Sequence, residues 1–256
     1  MPRSILRIRT AARTAALHFL SRLPARPRGI VHVFLHTVED DEHEAFTVLL
    51  DALRNIGPIV PLEEAIARGA LEDPTPRFSL SFDDGFASLA KNAVPILLRE
   101  RVPATFFVAS GFLDLRGAAL REYTTIGLRR HDVGLPLGRQ DVRELAKLGF
   151  TIGSHGVSHR DFSHMQESEL RRELGESREL LSHLAGTRTS YFAWPFGRLS
   201  SFPPWGYAIA FNLGYTDLFS AATRRDRHRL PPHVHPRRHL EANWNPRWAR
   251  YFAVRG

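Results

Sequence analysis

Arg77-Phe78-Ser79-Leu80-Ser81-Phe82-Asp83-Asp84-Gly85 decides the fold. An apolar, β-prone run ends abruptly on two carboxylates and a glycine. Further along, Phe150-Thr151-Ile152-Gly153-Ser154 ends in the same way on His155-Gly156-Val157-Ser158-His159. Asp-Asp-Gly alone is usually a turn, and His-x-x-x-His alone is as often a helix face or a loop as a metal site. Joined, they supply two carboxylates and two imidazoles just past the carboxyl ends of two strands. In a β/α barrel, chemistry is done at that face. Two neutral imidazoles and one carboxylate hold a divalent ion and leave a position open for water. The spare carboxylate then takes the proton as that water attacks. Neighbours on a strand point to opposite sides, so a bend after Phe82 is needed for both aspartates to serve one site.

The rest of the chain alternates. Strand-like runs stand at Ile30–Leu35, Ala104–Ala109, Tyr191–Trp194 and Thr216–Ala221. Helical spacing is read at Glu44–Asn55, Leu62–Arg68, Ser88–Arg101, Gln140–Leu148, Glu167–Leu184 and Trp205–Asn212. Residues 112–138 read as an irregular connection over one end of the molecule. The expected architecture is α/β, barrel-like and a single domain.

At 256 residues the chain can bury one sizeable core. Cysteine is absent, which excludes disulfides and thiolate ligands and leaves His, Asp and Glu for any metal. The net charge is +8, and all but two of the 35 basic residues are arginine. That balance favours anionic partners such as membrane surfaces, phosphorylated lipids or acidic glycans. No nucleic-acid-binding motif is present, and no nucleic-acid partner is expected. Residues 1–38 hold seven arginines and no acid. Residues 1–28 read as a basic tail or an amphipathic helix resting on a membrane surface, with Pro24–Gly29 as the linker into the folded domain at 29–256. No run reaches the ~18 apolar residues that span a bilayer. The expected location is the cytoplasm or the periphery of a membrane, with export left open.

The motifs resemble those of the polysaccharide deacetylases. Ser81–Gly85 is similar to that family's Thr-Phe-Asp-Asp-Gly. Ile152–His159 is similar to its His-containing second motif. Phe192-Ala193-Trp194-Pro195-Phe196-Gly197 is similar to a Phe-Ala-Tyr-Pro-Tyr-Gly variant of the third. The resemblance runs over roughly residues 30–240. It implies a distorted (β/α) barrel of about seven strands. It also implies Asp84, His155 and His159 as metal ligands, Asp83 as general base, and a backbone N–H near Phe196 for the oxyanion, with Trp194 and Pro195 at the substrate wall. The implied metal is zinc, with cobalt, nickel or iron fitting similar donors. The implied reaction removes N-acetyl groups from N-acetylhexosamine residues of a glycan. Two departures stand out. Ala193 replaces an arginine that orients the base in many members, leaving Asp83 without a named partner. The late general-acid histidine has no clean match among His233, His235 and His239, and His235 is the expected one. Alternatives are a hydrolase of a non-sugar amide and a non-catalytic glycan-binding relic.

Overall fold

The chain closes its apolar runs into a ring of seven parallel strands: β1 (Ile30–Leu35), β2 (Arg77–Phe82), β3 (Thr105–Val108), β4 (Thr151–Ser154), β5 (Tyr191–Ala193), β6 (Asp217–Ser220) and β7 (Val234–His239). They pair in chain order, and β7 closes on β1 with Phe34 opposite His239. The structure is a computed structural model and describes residues 29–68, 76–129, 134–223 and 225–255. The tail or helix expected at 1–28 lies outside the described residues. Among the described residues no helix is long and apolar enough to cross a membrane.

Around the ring lie α1 (His43–Arg54), α2 (Leu62–Arg68), α3 (Val94–Glu100, entered through a wide π turn at Leu89–Ala93), α4 (Gly117–Ile126), α5 (Arg139–Lys147), α6 (Glu167–Ala185), α7 (Gly206–Asn212) and α8 (Pro246–Arg255). Parallel strands buried on both faces read as continuous apolar runs, and alternation divides their residues between two environments. Val31, Val33, Leu35, Phe78, Leu80 and Phe82 join one cluster with Phe46, Leu50, Leu53 and Leu97 of the surrounding helices. The alternate residues point into the barrel and are unusually polar. There His32 Nδ1 meets Ser79 Oγ at 2.6 Å. Arg237 donates to Ser81 Oγ at 3.1 Å, and its guanidinium lies 4.4 Å from the Phe34 ring centre.

Two expectations need correction. The stretch 112–138 is not all irregular, because Gly117–Ile126 forms α4. Its apolar spacing is sparse, yet Ala118–Glu122 are good helix formers. Glycines stand at its start (Gly117, φ +59°) and at its C-cap (Gly127). The closing strand was the less legible one. Val234–His239 is Val-His-Pro-Arg-Arg-His, and its inward side chains are His235, Arg237 and His239 rather than aliphatic residues.

A candidate metal centre and its cleft

The bend after β2 is built by backbone conformation. Asp84 adopts φ +70° and Gly85 φ +96°, the left-handed region in which a non-glycine residue is strained. The turn aims the two carboxylates differently. Asp83 faces into the barrel, and Asp84 faces the loop after β4. That loop carries His155 and then His159, itself at φ +52°.

The loop from His155 to His159 is clamped from several sides. The Glu173 carboxylate, 7% exposed on α6, accepts from the N–H groups of Val157 (2.8 Å) and Ser158 (2.9 Å). The Tyr123 hydroxyl of α4 donates to the Val157 carbonyl at 2.7 Å. Sequence reading missed Glu173, which sat among four other glutamates on one helix with nothing to distinguish it.

Each imidazole is oriented by a carbonyl. His155 Nδ1 lies 2.7 Å from the Ala193 oxygen, and His159 Nδ1 lies 3.1 Å from the Gly127 oxygen. A carbonyl only accepts, so both Nδ1 atoms carry hydrogen and each Nε2 presents a lone pair when the ring is neutral. The two Nε2 atoms lie 3.3 and 3.1 Å from Asp84 Oδ1. That oxygen is buried and accepts no hydrogen bond. Three electron-rich atoms thus converge with nothing between them, all within 4.8 Å of one another. Edges of 3.1–3.3 Å belong to a tetrahedron whose centre lies about 2.0 Å from each corner, the bond length of a His/Asp zinc site. The donor set therefore fits a divalent ion. Burial pushes the His159 imidazole down, but the Asp84 charge more than offsets this and raises it.

Asp83 has the partner that Ala193 fails to provide. Arg237, from β7, donates from Nη1 to Oδ1 (2.6 Å) and from Nη2 to Oδ2 (2.7 Å). The side chains are only 2% and 3% exposed. Burial alone would raise the Asp83 carboxyl, but the Arg237 charge, with His155 and the paired hydrogen bonds, outweighs it and holds Asp83 below the usual range. Sequence reading missed Arg237. The usable signal was the period-two pattern His235-x-Arg237-x-His239, which marks a strand facing a polar interior.

The three late histidines separate. His239 lines the cleft with His36, the ring centres 5.0 Å apart, and its Nε2 lies 3.0 Å from a Glu241 carboxylate oxygen. His235 does not reach the cleft. It lies four residues earlier on β7, near the opposite end of the barrel, where its Nε2 is 2.8 Å from Asp217 Oδ1 and its ring stacks on Phe219. His233 lies 3.4 Å from the same Asp217 oxygen. The general-acid role expected of His235 is corrected on that ground, because a proton donor must be within reach of the leaving group.

The cleft encloses about 820 Å³. Trp194 and Phe196 both line it, with Trp194 wedged against Phe202, ring centres 5.1 Å apart. Phe196 is held at φ +63°, its ring edge-on to His159 at 5.1 Å, and no described residue accepts from its N–H. Pro195 does not face the cleft as expected. It is buried behind the wall, where its carbonyl accepts from Ser201 Oγ.

Comparison with known proteins converges on one family. Residues 71–215 match the family model described as polysaccharide deacetylase. YxkH of Bacillus subtilis (strain 168), assigned by name to the polysaccharide deacetylases, is 24% identical over 119 residues, 46% of this chain. The match spans only 36% of that relative's length. Among solved structures, IcaB from Ammonifex degensii superposes with a TM-score of 0.66 at 20% identity, covering 90% of this chain and 97% of that one. The Streptococcus pyogenes deacetylase PplD, solved in complex with acetate, gives 0.64 at 19%, covering 87% and 96%. The deacetylase domain of BpsB from Bordetella bronchiseptica gives 0.62 at 19%, covering 86% and 98%. At these identities the likeness is one of fold.

Proposed function

The chain belongs to the polysaccharide deacetylase family, and on that premise we propose that it is a metal-dependent hydrolase removing N-acetyl groups from N-acetylhexosamine residues of a glycan. One observation carries the reading. A carboxylate oxygen without a donor and two imidazole lone pairs converge beside a second carboxylate held ionised by a buried arginine.

Asp84, His155 and His159 would hold the ion, with zinc favoured by the donor set and cobalt, nickel or iron compatible with it. When bound, the ion supplies Lewis acidity to the amide carbonyl and lowers the pKa of water. Asp83 accepts the proton of the attacking water. Arg237 keeps that carboxylate charged and fixed in orientation. As the water oxygen bonds to the carbonyl carbon, negative charge grows on the former carbonyl oxygen, and the free N–H of Phe196 is the preorganised donor for it. Cleavage of the C–N bond requires a proton on the departing nitrogen. His239, which lines the cleft, would deliver it. Acetate and the free amine leave.

The grounds for a non-catalytic relic were an unheld base and a missing acid. Arg237 on Asp83 and His239 in the cleft favour the catalytic reading over it. The test measures bound metal and acetate release together, on N-acetylglucosamine oligomers, before and after chelation. Release that disappears with the metal and returns with zinc is expected, as is none from Asp83→Asn or His155→Ala. Full activity in those folded variants would refute the assignment.

A further inference from the structure

Among the described residues, two guanidinium groups near the cleft form no ion pair with an acid. Arg129 lies over the Phe196 ring, 4.6 Å from its centre, and that ring abuts His159. Arg198, two residues beyond Phe196, lines the cleft and is exposed. Among the described residues neither guanidinium pairs with a carboxylate. The acids nearby are already engaged. Asp226 lies 3.5 Å from Arg229 and accepts from Thr223 Oγ1 at 2.7 Å. Glu241 sits against His239. Asp161, which feels the charge of Arg129, accepts from both the N–H and the hydroxyl of Ser163. Arg129 itself is set at φ +54°, a costly conformation that persists only where its surroundings fix it.

Arg129 thus lies over the Phe196 ring and Arg198 lines the same cleft two residues further on, beside the candidate metal-binding end, and among the described residues neither is ion-paired. A neutral acetamido sugar offers them only weak acceptors. A carboxylate or phosphate matches the planar guanidinium fork. Resting on the deacetylase reading, we infer that the substrate is an acidic glycan whose carboxylate or phosphate, next to the N-acetylhexosamine, is bound by Arg129 and Arg198. The overall excess of arginine would draw such a polymer toward the cleft.

The experiment uses zinc-loaded full-length protein and three oligosaccharides of equal length. One is neutral N-acetylglucosamine, one alternates it with a uronic acid, and one carries a terminal phosphate. The expected kcat/KM for at least one acidic oligomer is about tenfold above the neutral one, as one charge-assisted contact supplies. The acidic oligomer that shows the gain identifies the source of the anion. The ratio should fall toward one in the Arg129→Gln/Arg198→Gln protein, and with rising salt. Equal kcat/KM on all three, with acetate released, overturns this inference and leaves the deacetylase reading intact. Calorimetry of the same oligomers with Asp83→Asn protein reads the preference without turnover. Tighter binding of an acidic oligomer there supports the inference even if acetate is not released, and equal binding refutes it.

Discussion

Replacing Arg237 with methionine tests the site's central contact. The change removes a guanidinium that makes 2.6 and 2.7 Å hydrogen bonds to Asp83 while roughly preserving the side-chain length that packs between the Phe34 and Phe107 rings. At an effective dielectric of about 20, opposite charges about 4 Å apart attract by roughly 4 kcal/mol. Breaking a buried pair by deleting one partner costs about 3–5 kcal/mol, because the other charge stays buried alone. For a protein of this size that lowers Tm by about 10 °C. Asp83→Asn should cost a similar amount, since it strands Arg237. The double variant Asp83→Asn/Arg237→Met buries no charge and should recover most of the loss, a coupling of about 3 kcal/mol. Urea unfolding of the four proteins measures the cycle. Acetate release should fall in Arg237→Met by about 10²–10⁴, the usual worth of a positioned base. Additivity of the two substitutions to within about 0.5 kcal/mol would refute the claim that these residues act as a unit.

The remaining predictions test other parts of the barrel. His239→Ala should lower kcat by at least about 10²-fold, whereas His235→Ala should leave it within a fewfold; the reverse result would return the acid role to His235. His32 is buried and lowered to about 3 by burial, with the charges of His235 and Arg237 adding to it. The unfolded chain takes up a proton below about pH 6.5 that the folded one refuses. Stability should therefore drop by about 1.4 kcal/mol per pH unit as pH falls from about 6.5 toward 3, and His32→Gln should flatten that slope in urea titrations. Zinc at about 100 times its Kd should stabilise the protein by about 2.7 kcal/mol, with weaker binding at low pH as His159 takes a proton instead. A Tm insensitive to zinc at neutral pH would contradict the ligand set. In Gly153→Ala the new methyl would sit 2.4 Å from the Phe107 ring, so a loss of about 1–3 kcal/mol is expected, read from urea midpoints.

The Asp84, His155 and His159 cluster was legible because its residues follow strands of ordinary aliphatic and aromatic character, and the order of motifs placed them on one face. The barrel was legible for the same reason, strand by strand, up to Asp217–Ser220. Val234–His239 was not, because its inward side chains are two histidines and an arginine. A polar strand interior defeats a search for hydrophobic alternation. Arg237 and the separation of His235 from His239 were lost with it. The φ values of Asp84, His159 and Phe196 were out of reach as well. Nothing in an Asp, His or Phe announces a left-handed backbone, which the surrounding loops impose.

Arg237 and Asp83 are 154 positions apart in the chain. Everything between them, including His155 and His159, leaves the ribosome before the arginine does. The nascent protein thus carries Asp84, His155 and His159 while Asp83 is still unheld, and the cluster is complete only when β7 pairs with β1. Contacts this distant are slow to form, because the loop they close must be ordered first. Ring closure is in this sense a late step of synthesis as well as of architecture. A site wired this way would be complete only once β7 has been made. A single cut between β6 and β7 would loosen β7 and part Arg237 from Asp83 while leaving Asp84, His155 and His159 in place.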